Sequence, residues 1–132
     1  MERPDPQAIL ALVPFAVTLG IELLEADPDQ VRGRLAWTAE RTTTAGVMHG
    51  GALMALADTC GGVCAYLNLP DGAQGTATIE SKTNFLRPVL SGAATALAHP
   101  LHKGRTLIVV ETEITRDDGK LAAKVTQTQV FH

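Results

Sequence analysis

The apolar positions fall into blocks whose spacing changes along the chain. Asp5 to Val13 has the pattern of a short helix that Pro14 ends. Val17 to Ala26 is apolar and predicts a strand. Asp27-Pro28-Asp29 predicts a turn, and the alternation over Gln30 to Thr38 predicts the returning strand of a hairpin. Ala39 to Met48 is polar and threonine-rich, as loops are. His49 to Leu67 predicts the one long helix, apolar nearly all round as in a helix enclosed by other structure, and stopped by Pro70-Asp71-Gly72. Four strands are expected after it: Thr76–Arg87, Ala93–His102, Arg105–Arg116 and Lys120–Phe131. Thr106 to Thr115 alternates best, with Glu111, Glu113 and Thr115 on one side and Val110, Thr112 and Ile114 on the other. Lys103-Gly104 and Asp117-Asp118-Gly119 read as hairpin turns. The order is short helix, hairpin, central helix and four-stranded meander. An antiparallel sheet wrapped on one buried helix satisfies it, an α+β fold.

Composition narrows the function classes. At 132 residues the chain is expected to form a single domain, 1–132, around one core. The net charge of −3 and the lack of any Lys/Arg cluster longer than a pair argue against a nucleic-acid surface. The apolar run from Ala8 to Leu24 follows Glu2, Arg3 and Asp5 rather than a positive leader, and Pro14 interrupts it, so it does not read as an export signal. Gly50 to Leu69 could span a bilayer by length, but an acidic residue near its middle favours a helix buried in protein. A cytoplasmic protein without membrane partners is expected. Cys60 and Cys64 lie one helical turn apart, where a disulfide would be strained, and read as small core residues. His99 and His102 point to opposite faces of a strand and have no third ligand near them in sequence, so no metal is expected. Ser81 and Ser91 lack the Gly-x-Ser-x-Gly context of a serine hydrolase, and no phosphate-binding glycine loop is present.

The chemistry concentrates in the long helix. Asp58 is its only charged residue between Gly50 and Leu69, and an unpaired carboxylate inside a protein is costly. Either it caps a loop or pairs with a cation such as Lys82, Arg87 or Arg105, or it does chemical work. The helix opens on Met48-His49-Gly50-Gly51, where free backbone N–H groups and the positive end of the helix dipole meet. Glycines there let a carbonyl oxygen or anion come close, the requirement for an oxyanion hole, although a tight turn would use them equally well. Gly50 and Asp58 are eight residues apart, about 12 Å along the axis. One helix cannot bring both to the same carbon, so joint action requires two chains and predicts a homodimer with two symmetry-related sites.

The run Gly46-Val47-Met48-His49-Gly50-Gly51-Ala52, followed by Asp58 nine residues after the histidine, resembles the hotdog-fold acyl-CoA thioesterases of the phenylacetate-pathway (PaaI-like) type. Thr76 to Pro88, Ala98 to Arg105 and Asp118-Gly119-Lys120-Leu121 are similar to the same family, with a flavour of the aryl-acyl-CoA proofreading and menaquinone-pathway branch. The likeness runs from Val31 to Phe131. It implies a hotdog fold that hydrolyses an acyl-CoA or acyl-carrier thioester. Asp58 would be nucleophile or general base, the Gly50 N–H would polarise the carbonyl, and His49 would orient the loop and substrate. A hydroxyl at Thr78 would stand near the attacking water. Thr43, Gly51, Arg87, Lys103, Gly104 and Arg105 are the implied substrate contacts, the basic ones toward the phosphates of CoA. CoA is part of the substrate, so no separate cofactor is implied, and dimers would pair into tetramers.

The chain departs from the family pattern in two places. Thr43 stands where an amide side chain is common; and around the acid, Asp58 stands where the proofreading branch commonly has glutamate and Gly62 where a hydroxyl often follows by one turn. Two other readings use the same pocket: a hydratase or dehydratase of acyl thioesters, and an acyl-CoA-binding protein without catalysis. His49 followed by two glycines fits the first poorly, and a carboxylate facing the pocket argues against the second.

Overall fold

The computed structural model describes residues 4–132; Glu2 and Arg3, in the leader considered above, lie outside the described residues. Asp5 caps the first helix, α1 (Pro6–Leu10), by accepting the Gln7 N–H at 3.0 Å, and Pro6 occupies the first helical position. The helix expected to reach Val13 stops at Leu10, and Pro14, rather than ending it, opens a second helix, α2 (Pro14–Leu19), which takes the first part of the segment expected as a strand. A proline presets φ for a first helical turn, so it starts a helix as readily as it stops one. Gly20, at φ 92°, closes α2 in the left-handed conformation that glycine adopts without strain. Strand β1 is therefore only Glu22–Ala26, paired with β2 (Val31–Ala36) across the expected turn. The polar loop that follows holds two short 3-10 turns, Ala39–Arg41 and Thr44–Gly46. Then come the long helix α3 (Gly50–Tyr66) and strands β3 (Thr76–Phe85), β4 (Ala93–Lys103), β5 (Leu107–Thr115) and β6 (Leu121–Phe131).

All six strands join one antiparallel sheet in the order β1-β2-β4-β5-β6-β3, with α3 packed across one face in contact with every strand. This is the hotdog architecture. The expected four-stranded meander is corrected to three strands, β4-β5-β6, because β3 pairs with β6 at the far edge instead of with β4. Tight turns force sequence neighbours to pair, and the segment joining β3 to β4 is not one. Leu86 and Arg87 donate their N–H groups to Ala122 O, Val89 O accepts from Met48 N–H, and Gly92 O accepts from Trp37 N–H. The chain thus crosses the end of the sheet from β6 to β2, passing the start of α3.

The core lies between α3 and the sheet. Leu53, Leu56, Ala57, Cys60 and Cys64 meet Val31, Leu35, Ile108, Val110, Ile114 and Val125. The alternation of β5 places Ile108, Val110, Thr112 and Ile114 inward, as expected. Close approach is set by small residues. A Cβ at Gly33 of β2 would run into the Cys60 sulfur, and one at Gly61 of α3 into the Gln127 amide. The expectation of a helix buried all round is corrected too: only its inner face is covered, while Met54, Asp58 and Tyr66 are exposed along the outer face. No helix among the described residues is long and apolar enough to cross a membrane.

Both cysteines are free and buried. Burial, reinforced by Cys64, pushes the Cys60 thiol from 9.0 up to about 12; burial, reinforced by Asp29, does the same to Cys64. A thiol raised in the folded state contributes its full stability below pH 9 and loses it as pH rises toward 12. The urea midpoint is therefore expected to fall between pH 8 and 10.5, and to fall less in a Cys60→Ala/Cys64→Ala double variant. Identical pH dependence of the two proteins would contradict the assignment.

Candidate active site

The start of α3 is held by the loop before it. His49 N–H donates to Arg41 O at 2.8 Å, and Met48 N–H donates to Val89 O at 2.9 Å. The Trp37 indole N–H reaches Gly46 O at 2.9 Å. Arg41 in turn uses its guanidinium on two carbonyls, Leu19 O at 2.8 Å and Ala36 O at 2.9 Å, tying the end of α2 to the end of β2. Its side chain fills the space over Gly20, where a Cβ would meet the guanidinium. Five donors in a rigid fork suit such a role better than any other cation. Arg41 carries no motif, and the sequence reading passed over it.

His49 is the N-cap of α3, and its Nδ1 accepts the Gly51 N–H at 2.8 Å. That contact separates two adjacent amides. Gly51 is already satisfied, whereas the Gly50 N–H has no acceptor among the described residues and stands at the positive end of the helix. Gly50 borders a cavity of about 300 Å³ with Leu53, Phe85, Arg87 and Val89, and the Phe85 ring lies close over it. His49 and Gly51 border a different cavity, of about 390 Å³, with Phe15, Arg41 and Thr42.

Two turns along the helix, Asp58 faces a cleft of about 350 Å³ whose walls are mostly apolar, among them Ile9, Leu12, Val13, Val63 and Tyr66. Its partner comes from the sheet edge: the Thr78 hydroxyl of β3 donates to Asp58 Oδ1 at 3.1 Å. The direction of that bond is fixed from behind. Gln129 of β6, buried beneath the cleft, donates its Nε2–H to Thr78 Oγ1, and its Oε1 accepts from the Thr76 hydroxyl at 3.1 Å. With the Gln129 carbonyl engaged by Thr76, its amide nitrogen must point at Thr78, and the Thr78 proton is left for Asp58. Gln129 was not singled out from sequence, where it reads as one more alternating polar residue of a strand.

The remaining expected residues spread over both ends of the sheet. Thr43 is exposed in the loop before α3, its N–H donating to Val47 O at 2.8 Å. Arg87 lies at the Gly50 end, where its Nη1 donates to Leu121 O at 2.9 Å. Lys103, Gly104 and Arg105 form the exposed β4–β5 turn, closed by Gly104 N–H to Leu107 O at 2.8 Å. That turn is at the end of the sheet where β3 begins, since Phe131 N–H bonds Thr106 O and Phe131 pairs with Thr76. The structure thus brings Thr78 to Asp58 and Arg87 to Gly50. No cavity described above contains both Asp58 and Gly50.

Residues 45–123 match the thioesterase superfamily, and the chain belongs to that family. It is 38% identical over 106 residues to "Putative esterase SSO2140" of Saccharolobus solfataricus, spanning 80% of this chain and 74% of that protein. The crystal structure of thioesterase HI1161 from Haemophilus influenzae is similar with a TM-score of 0.91 and 28% identity, over 99% of this chain and 92% of that one. The PaaI protein of the Escherichia coli phenylacetic acid degradation operon shares the fold, with a TM-score of 0.86 at 24% identity over 96% and 89% of the two chains.

The hydrogen-bonded series predicts a non-additive pair. Thr78→Val and Gln129→Leu are each expected to lower thioester turnover about tenfold with KM little changed, and the double variant to lose no more than the worse single one. Losses that multiply in the double variant would show that Gln129 does not act through Thr78.

Proposed function

We propose that this protein hydrolyses an acyl-CoA or acyl-carrier thioester to a free acid and a thiol, at two sites shared between the subunits of a homodimer. The observation that carries the reading is the oriented Asp58–Thr78 pair at the edge of an apolar cleft, in a chain of the thioesterase superfamily. Asp58 acts as general base on water or as the nucleophile itself. In the first case a water oxygen bonds to the thioester carbon as its proton passes to Asp58, and the carbonyl oxygen takes up negative charge opposite a backbone N–H. Collapse breaks the C–S bond, and the proton held by Asp58 ends on the thiol. Thiolate is a good leaving group, so one carboxylate and one oxyanion donor suffice. The Gly50 N–H is the donor, because the neighbouring Gly51 N–H is occupied by His49.

The way β3 runs beside α3 supports the dimer. Thr78 lies at the level of Asp58 and Phe85 at the level of Gly50, so strand and helix are antiparallel. Among the described residues the ten-residue β3 has no neighbour on its outer side, and Ile79 and Phe85 are exposed along it. An unpaired edge of that length is a template for another strand. A two-fold axis through the middle of β3, pairing it with its own copy, brings the Asp58 and Thr78 level of one chain beside the Gly50 and Arg87 level of the other. It also sets the Lys103–Arg105 turn of one chain on the same side as Arg87 of its mate, giving cations from both chains for the phosphates of CoA.

Asp58→Asn is expected to lower thiol release at least about a hundredfold while leaving the unfolding midpoint unchanged. Near-wild-type hydrolysis by that variant would remove the mechanism.

A further inference from the structure

Helix α3 contains two consecutive interior glycines, Gly61 and Gly62, each of which weakens a helix relative to alanine. Their surroundings differ. Gly61 is buried, and a Cβ there would overlap the Gln127 amide, so packing against the sheet explains it. Gly62 has no such reason. Among the described residues a Cβ at that position meets nothing within 4 Å, and its φ lies outside the left-handed range that favours glycine. What lies over it is the Asp58 cleft, which Gly62 lines together with Thr59, Val63 and Tyr66.

Position decides what the missing side chain does. Gly62 follows Asp58 by one turn, about 6 Å along the axis, and Tyr66 follows by another turn and lines the cleft beyond it. Ile9, Leu12 and Val13 line the same cleft. Omitting a side chain between Asp58 and Tyr66 does not lengthen the cleft, because Tyr66 still bounds it. It widens the cleft at one level, a few ångströms beyond the carbon that Asp58 would serve. A straight chain needs length, whereas a ring or a branch needs breadth at that level.

We propose that Gly62 is a specificity-determining position that sets the width of the acyl pocket and admits acyl groups broad next to the thioester carbon ahead of straight ones. The proposal rests on the thioesterase reading above and assigns it a preference. The helix forgoes the stability of an alanine to keep the space open.

The test measures kcat/KM by thiol release for benzoyl-CoA and hexanoyl-CoA in wild type, Gly62→Ala and Gly62→Leu, with melting temperature and oligomeric state followed in parallel. Gly62→Leu is expected to lower the benzoyl-to-hexanoyl ratio at least about tenfold, and Gly62→Ala to shift it the same way by less. Gly62→Ala is also expected to melt about 3 °C or more higher than wild type. An unchanged ratio in Gly62→Leu overturns the proposal and leaves the thioesterase reading standing. Dissociation or a lower melting temperature of Gly62→Ala overturns it as well, because the glycine then serves close packing between copies. No thiol release by wild type from any CoA or acyl-carrier thioester, straight, branched or aromatic, overturns the thioesterase reading and the width assignment with it.

Discussion

A rigid helix fixes the distance between the two groups on which thioester chemistry would depend. The Gly50 amide is at the first turn of α3 and Asp58 two turns later, about 12 Å away along an axis that cannot fold back. The rest of the molecule is arranged around that separation. The sheet clamps the inner face of the helix with Leu53, Leu56, Ala57 and Cys60, so the helix cannot rotate to present its groups differently. The crossing segment after β3 packs Val89 beside the helix start, and β3 itself supplies Thr78 to the carboxylate. Each half of the proposed site is complete at its own end of one chain, and neither cavity reaches the other.

The supporting residues act by removing choices. Arg41 spends its guanidinium on two backbone carbonyls and thereby anchors the loop whose own carbonyl holds the His49 N–H. His49 takes the Gly51 amide and leaves that of Gly50 as the free donor. Thr76 fixes which way the Gln129 amide faces, Gln129 fixes which way the Thr78 hydroxyl faces, and Asp58 receives a proton donor rather than a competing acceptor. Each of these contacts is modest taken alone; a neutral hydrogen bond adds about 1 kcal/mol net and one to a charged group about 2 kcal/mol. Their effect is to hold a donor and a carboxylate in single orientations before any substrate arrives, which is the condition for electrostatic stabilisation of a transition state.

Much of this was legible in the chain. The long helix, the alternation of β5, the two tight hairpins and the spacing from His49 to Asp58 are local patterns, and local patterns survive into the fold. What was not legible depends on long-range placement. Pro14 reads as a stop, and only the packing of α2 shows it as a start. The place of β3 at the far edge is set by a crossing over the end of the sheet, which no tight turn announces. The exposure of Asp58 was missed for an instructive reason. An apolar pattern on every side of a helix signals contact on every side, and the sheet covers one side only. The outer face, with Met54 and Tyr66 beside Asp58, has the composition of a surface that meets something further, which in the proposed reading is the substrate and the second subunit.

In the proposed site the amide donor comes from one chain and the carboxylate from the other, and mixed dimers test this directly. Asp58→Asn removes the acid, and Gly50→Pro removes the amide at a first helical position whose backbone accepts proline once the Phe85 ring over it gives way slightly. Each variant alone should be inactive. When the two are unfolded together in equal amounts and refolded, half of the dimers carry one chain of each kind, and each of these has one intact site and one doubly defective one. Thiol release should then recover to about a quarter of the wild-type rate per protomer. Mixed dimers that form and stay inactive would place both groups of each site on a single chain and contradict the account.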